Sequence, residues 1–241
     1  SLVRERTASE VHQIIKESIL LFDEWERLND SFGTIYFSDT FIFYQKTPGY
    51  HDSCFLDVYG IGALILAALL SKGVPARGVI SYGDFSIDSE ESHPKIYFGN
   101  ALIEAHRSEK GLNWIGISIL ESAWQPYAGR NKSLLEVFES EHVWLRSNSQ
   151  LLLNPFQKIR IWHMDSEVIK PYSEWDAPYF INDIKGFLFL HQRALSYSTA
   201  GQFTSKEAGK YFSTIEFLKK VMGTEMYNWA MLLSREISLS A

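Results

Sequence analysis

The stretch from Tyr59 to Leu70 (YGIGALILAALL) carries neither a charge nor an amide side chain. A helix that is apolar all round has no face for water and is stable only when surrounded by apolar material. At about 12 residues the stretch is short of the ~20 that a bilayer crossing needs. It is therefore expected as a buried helix, over about Ser53 to Ser71, stopped by Gly73 and Pro75. The rest of the fold has to wrap it.

Material for the wrapping is plentiful. The 241 residues are 46% hydrophobic and 22% charged, which implies one large domain, or one domain with an appendage, and not a disordered chain. Trp 7, Tyr 12 and Phe 16 supply large packing surfaces and enough aromatic area for a subunit contact. Lys+Arg 23 against Asp+Glu 29 leaves a net charge of -6. Without a basic field the chain is a poor binder of nucleic acid polymers. Cys54 is the one cysteine, so neither an internal disulfide nor a cysteine zinc site is available, and a reducing cytoplasm is expected. Arg4, Glu5 and Arg6 lead into an amphipathic segment rather than an apolar core, so no secretory signal is expected.

Along the chain, Val11, Ile14, Ile15, Ile19, Phe22 and Trp25 recur at helical spacing, predicting a helix from Ser9, as N-cap, to about Leu28. Thr34 to Tyr44 (TIYFSDTFIFY) reads as two strands around a tight turn or as one long strand. Strands are expected at Ala76 to Tyr82, Lys95 to Phe98 and Asn113 to Ile119, with a turn-rich acidic loop from Asp84 to Pro94. Gly99 opens a predicted helix through Lys110, and Ser133 to Arg146 reads as another. Ile159 to His163 and Tyr179 to Asn182 are expected as strands. The fold class is α+β: a largely antiparallel sheet with packed helices over 1–183, then a helical C-terminal appendage over 184–241.

Three features could carry chemistry. Asp39 lies inside the apolar Thr34 to Tyr44 segment, where a carboxylate needs water, a cation or a metal. It is either a turn aspartate or a hard oxygen ligand for Mg²⁺ or Mn²⁺ at a hairpin tip. Gly99 before a helix containing Arg107 could set amide N–H groups and a guanidinium near an anion, or could be only a cap. Arg77 beside Gly78 is a rim salt bridge or a phosphate ligand.

In order, FSDT at 37–40, PARGVISYG at 75–83 and YFGNALIEAHRSE at 97–109 resemble the class III nucleotidyl cyclase catalytic domain. With NWIGISI, the wording is more similar to the bacterial pyrimidine cyclases of Pycsar anti-phage systems than to adenylate cyclases, over about residues 9–182. The resemblance implies a cyclase-like fold and a homodimer with shared sites. It also implies two divalent ions, Mn²⁺ or Mg²⁺, and conversion of a nucleoside triphosphate to a 3′,5′-cyclic nucleotide and pyrophosphate. It puts Asp39 on a metal aspartate and Arg107 on the arginine that steadies the phosphates. Ser38, Arg77, Tyr97 and Gly99 fall in the substrate-binding segments.

The family's transition-state asparagine falls at Ile103, and its adenine-reading lysine and aspartate fall at Ile35 and near Ile96. The resemblance therefore implies a pyrimidine substrate, UTP ahead of CTP, with Tyr36, Tyr97 and His106 as base-reader candidates. The family's first metal aspartate has no counterpart between Ser1 and Ser9. A cyclase-homology module that dimerises or senses nucleotide without turnover is the alternative, and an α+β domain that binds a protein partner is the third.

Overall fold

The computed structural model describes residues 7, 9–10, 12–14, 16–18, 32–37, 40–46, 49, 52–87, 96–133, 136, 143–147, 150–157, 159 and 177–240. Helical residues between 9 and 18 form α1. Its start is a capping box: the Glu10 N–H donates to Thr7 Oγ1 (3.3 Å) while the Thr7 N–H donates to Glu10 Oε2 (2.7 Å). Ser9, expected as the cap, lies inside the helix.

Thr34 to Tyr44 resolves as a hairpin. Strands β1 (Phe32–Phe37) and β2 (Thr40–Gln45) pair antiparallel, from Phe32 opposite Gln45 to Phe37 opposite Thr40. Opposite Tyr44, Gly33 leaves room for the tyrosine ring, which lies where a Cβ would be only 2.4 Å from it. Aromatic cover of a strand glycine restores the packing that the missing side chain forfeits.

Helix α2 (Asp52–Ser71) is the apolar helix, and three neighbours wrap it. Ile61, Ile65 and Leu69 meet Ile14 of α1 and Phe41 and Phe43 of the hairpin. Phe55 meets Ala123, Tyr127 and Trp144. Leu66, Ala67 and Leu70 belong to the principal core with the C-terminal helices. The apolar run is longer than the sequence reading put it: Cys54–Ser71, with mean hydropathy 2.0, is long and apolar enough to cross a membrane, yet half of it is buried inside the chain. The helix ends in a Schellman motif, with Gly73 at φ 73° and the Val74 N–H reaching back to Leu69 O at 2.9 Å.

A four-stranded sheet follows, in the order β3 (Gly78–Ile80), β6 (Ile117–Ile119), β8 (Gln150–Leu153), β7 (Trp144–Ser147). β3 and β6 are parallel because the intervening helix α3 (Asn100–Gly111) carries the chain back to the same end. The other described ladders, β6–β8, β7–β8 and the pair β4 (Ser86–Ile87) with β5 (Tyr97–Phe98), are antiparallel like the hairpin. The α+β class and the mainly antiparallel pairing are as expected. Helix α4 (Glu121–Arg130) covers one end of the sheet through Ala123 and Tyr127.

Several local expectations fail. Ser133 to Arg146 is not one helix, since Trp144–Ser147 is a strand whose tryptophan is 1% exposed against α2 and α4. Ile159 is helical, while 160–163 lie outside the described residues. Tyr179 to Asn182 is no strand but part of α5 (Ala177–Thr199). The β preference of Tyr, Phe and Ile there is overridden by the stripe Ile184, Phe187 and Leu190, which the core needs on one helical face.

α5 and α6 (Lys206–Ser240, broken at Gly223, φ 71°) make the described residues from 184 to 240 mainly helical, as expected. They are, however, built into the main core: Leu66, Leu70, Trp114 and Phe156 share one cluster with Phe187, Leu190, Phe217 and Leu218. The Trp114 and Phe217 rings lie 4.7 Å apart. Buried Thr214 accepts the Ile115 N–H through Oγ1 at 2.8 Å. A Cβ on Gly186 would lie 3.0 Å from Leu70 Cβ and 3.3 Å from Ala67 O, so α5 and α2 touch almost backbone to backbone.

Candidate functional site

The glycine that leads α3 is required by its surroundings. Gly99 has φ 144° and ψ 161°, a region essentially closed to other residues, and a Cβ there would lie 2.1 Å from Asp84 O. That close approach lets Asp84 O accept the Ala101 N–H at 3.2 Å, using one of the unpaired donors of the helix start. Ser81 Oγ donates to Ala101 O at 2.8 Å, and Gly83 packs against Ala101. The connection after β3 is thus stitched to the first turn of α3.

From that turn, Asn100, Ile103, Glu104, Arg107 and Ser108 recur at helical spacing along one face and line a groove of about 380 Å³. Arg107 is exposed and has no ion pair among the described residues. Ile103, one turn earlier, is 48% exposed. Glu104 is held: Ser122 Oγ donates to its Oε2 at 2.8 Å and accepts the Tyr82 N–H at 3.3 Å. The segment after β3 and the start of α4 are thereby tied to α3 through Glu104, while the groove itself is lined by α3 residues. Tyr82, Ile96 and Phe98, all exposed, come from the segments flanking it in sequence.

The remaining expected residues lie as follows. Arg77 is engaged at the other end of α3, where its Nε forms an ion pair with Glu109 and its Nη1 donates to Leu112 O at 3.0 Å. A cation there also complements the negative end of the helix. Beside it, burial first, and then the charges of Arg77 and Lys206, hold the Lys210 ammonium below its ordinary pKa. Arg77 therefore takes the salt-bridge role and does not join Arg107. Tyr97 is half-buried in β5 opposite Ile87, and His106 is exposed on α3. Ile35 is buried and Ile96 is 52% exposed; neither can exchange a hydrogen bond with a base. Ser38 and Asp39 lie outside the described residues, as does the Tyr36 side chain.

Among the described residues no three His, Cys, Asp or Glu side chains converge to hold a metal ion. Those residues therefore do not by themselves make up a two-metal centre. The Glu104–Ser122–Tyr82 chain escaped the sequence reading. Glu104 shares the Arg107 stripe and could have been found by helical spacing, but Ser122 reaches it from another element.

Comparison with protein-family models, curated proteins and solved structures gave no match.

Proposed function

We propose that the chain is a nucleotidyl cyclase that joins the ribose 3′-oxygen of a pyrimidine nucleoside triphosphate, UTP ahead of CTP, to the α-phosphorus and releases pyrophosphate. The observation that carries this reading is Arg107. It projects from a glycine-led helix as a cation without an ion pair among the described residues, on a groove open to solvent. An arginine kept out of ion pairs keeps its donors for an incoming anion, and its planar fork matches phosphate oxygens.

The order of elements supports the same reading: a hairpin whose strands flank Asp39, an apolar helix, a strand, then the glycine-led helix. A homodimer fits too. Tyr82, Ile96, Phe98 and Ile103 are large apolar side chains exposed near the groove, and a second copy covering them would complete the site. Mn²⁺ or Mg²⁺ enters with the nucleotide in this proposal, and Asp39 is its proposed ligand. The cyclic product, cUMP or cCMP, would act as a cytoplasmic anti-phage signal.

Ile103 favours a second reading, a cyclase-homology module that binds nucleotide without turnover, because an apolar side chain stands where the resemblance calls for an amide. One experiment separates the two. The protein, and a version extended upstream, are incubated with each ribonucleoside triphosphate and Mn²⁺, and cyclic products are resolved. cUMP or cCMP from the parent, with Arg107→Ala lowering kcat about 10²-fold and KM little, is the expected result. Cyclic AMP as the main product would overturn the pyrimidine assignment. Nucleotide binding without product would establish the module instead.

A further inference from the structure

The groove on α3 carries two opposite charges, and Arg107 accounts for one. Glu104 lies three residues before Arg107 on the same stripe, so their Cβ atoms are about 5–6 Å apart. The carboxylate does not pair with the guanidinium. Its Oε2 is taken by the Ser122 hydroxyl at 2.8 Å, and Ser122 is in turn fixed by the Tyr82 N–H. Oε1 has no partner among the described residues. An oriented carboxylate with one free oxygen accepts hydrogen bonds and repels anions. It repels the phosphates that Arg107 would hold, so the contact open to it on the same ligand is with an uncharged, donating part. One sugar ring separates a nucleotide's α-phosphate from its base, and the ribose hydroxyls are the donors nearest the phosphates. Ile103, the other neighbour on the stripe, has no polar atom to offer them.

We infer that Glu104 is a specificity-determining residue that accepts a hydrogen bond from the ribose 2′-hydroxyl, and that Ser122 is the positioning residue that aims it. The inference rests on the proposed nucleotide site and adds to it a discrimination between ribo- and 2′-deoxyribonucleotides. A 2′-deoxynucleoside triphosphate retains the 3′-hydroxyl that cyclisation would use, so sugar reading and reaction can be measured apart. A hydrogen bond to a charged group corresponds to roughly ten- to a hundred-fold in affinity.

The test measures equilibrium binding of UTP and 2′-deoxy-UTP, each with Mn²⁺, to the parent, Glu104→Gln, Glu104→Ala and Ser122→Ala. Thermal melts of each variant check folding. The parent is expected to bind UTP about ten- to a hundred-fold tighter than 2′-deoxy-UTP. Glu104→Ala should bring the ratio to about one by weakening UTP alone, with Gln and Ser122→Ala in between. Equal binding of the two sugars by the parent, or a parent-like ratio in Glu104→Ala, overturns the assignment while the nucleotide site stands. If neither triphosphate binds the folded parent, the proposed function fails and the sugar reading fails with it. Should a variant melt early, the parent's ratio still decides whether the 2′-hydroxyl is read.

Discussion

Thr214→Val replaces one buried hydroxyl with a methyl and tests whether the C-terminal helices are part of the domain. Thr214 is 1% exposed, and its Oγ1 accepts the Ile115 N–H at 2.8 Å while donating to Lys210 O at 2.7 Å. Valine keeps the shape and has a similar helix propensity. Lys210 O keeps its own helix's backbone donor, but the Ile115 N–H, in a residue 4% exposed, loses its partner and stays buried. An orphaned buried donor costs about 1–3 kcal/mol. For a domain of this size each kcal/mol shifts Tm by about 2–4 °C, so a fall of roughly 2–12 °C is expected. Thr214→Ser, which keeps the hydroxyl and loses one methyl, should lose about 1 kcal/mol. Circular dichroism melts give Tm, and hydrogen exchange at the Ile115 amide reports the bond directly. A valine variant that melts within about 1 °C of the parent, with that amide still protected, would refute the reasoning.

Three further outcomes follow from the packing. Gly99→Ala puts a Cβ 2.1 Å from Asp84 O at φ 144°, and chemical denaturation should show a loss of at least about 1–3 kcal/mol. Gly186→Val, pressed on Leu70 and Phe156, should destabilise by about 1–3 kcal/mol, whereas Gly209→Ala, with nothing within 4 Å of the new Cβ, should stabilise by about 1 kcal/mol; the reverse order in melts would contradict the crossing of α5 on α2. His191 is held below its ordinary pKa, chiefly by burial and further by the Lys219 charge, against the raising effect of its bond to Phe187 O at 2.8 Å. Its Nε2 meets the hydroxyl of Tyr227, a group that burial pushes up to about 12 and that stays protonated throughout. The unfolded chain then binds the proton more readily, so this contribution is complete above about pH 6.5 and is lost as pH falls through the depressed value. His191→Gln should flatten the fall in Tm between about pH 7 and 5; an unchanged slope would show that other groups set it.

Local chemistry and periodicity were enough for part of this protein. A run with no polar face between a turn-rich start and a Gly-x-Pro stop reads as a helix in apolar surroundings, and α2 is that helix; its hydropathy over Cys54–Ser71 is equally a property of the sequence, and only the structure shows which elements cover it. Alternating β-branched and aromatic residues around Ser38 and Asp39 marked the hairpin strands, and a glycine before NALIEAHRSE marked α3. The capping box at Thr7 and Glu10 is equally local, a threonine followed three residues later by a glutamate, although the sequence reading placed the cap at Ser9. What the tertiary structure decided is non-local. Tyr179 to Asn182 became helix because the core needs Ile184, Phe187 and Leu190 on one face, which local β preference cannot register. Arg77 and Arg107 looked alike in sequence. Glu109 and Leu112 O claim the first, nothing described claims the second, and only the distances between elements separate them. Gly99 has its conformation imposed by the Asp84 backbone, and Glu104 acquires a fixed carboxylate from Ser122, 18 residues away. Periodicity reports which face of an element turns inward; which groups meet across elements depends on packing that no single segment encodes.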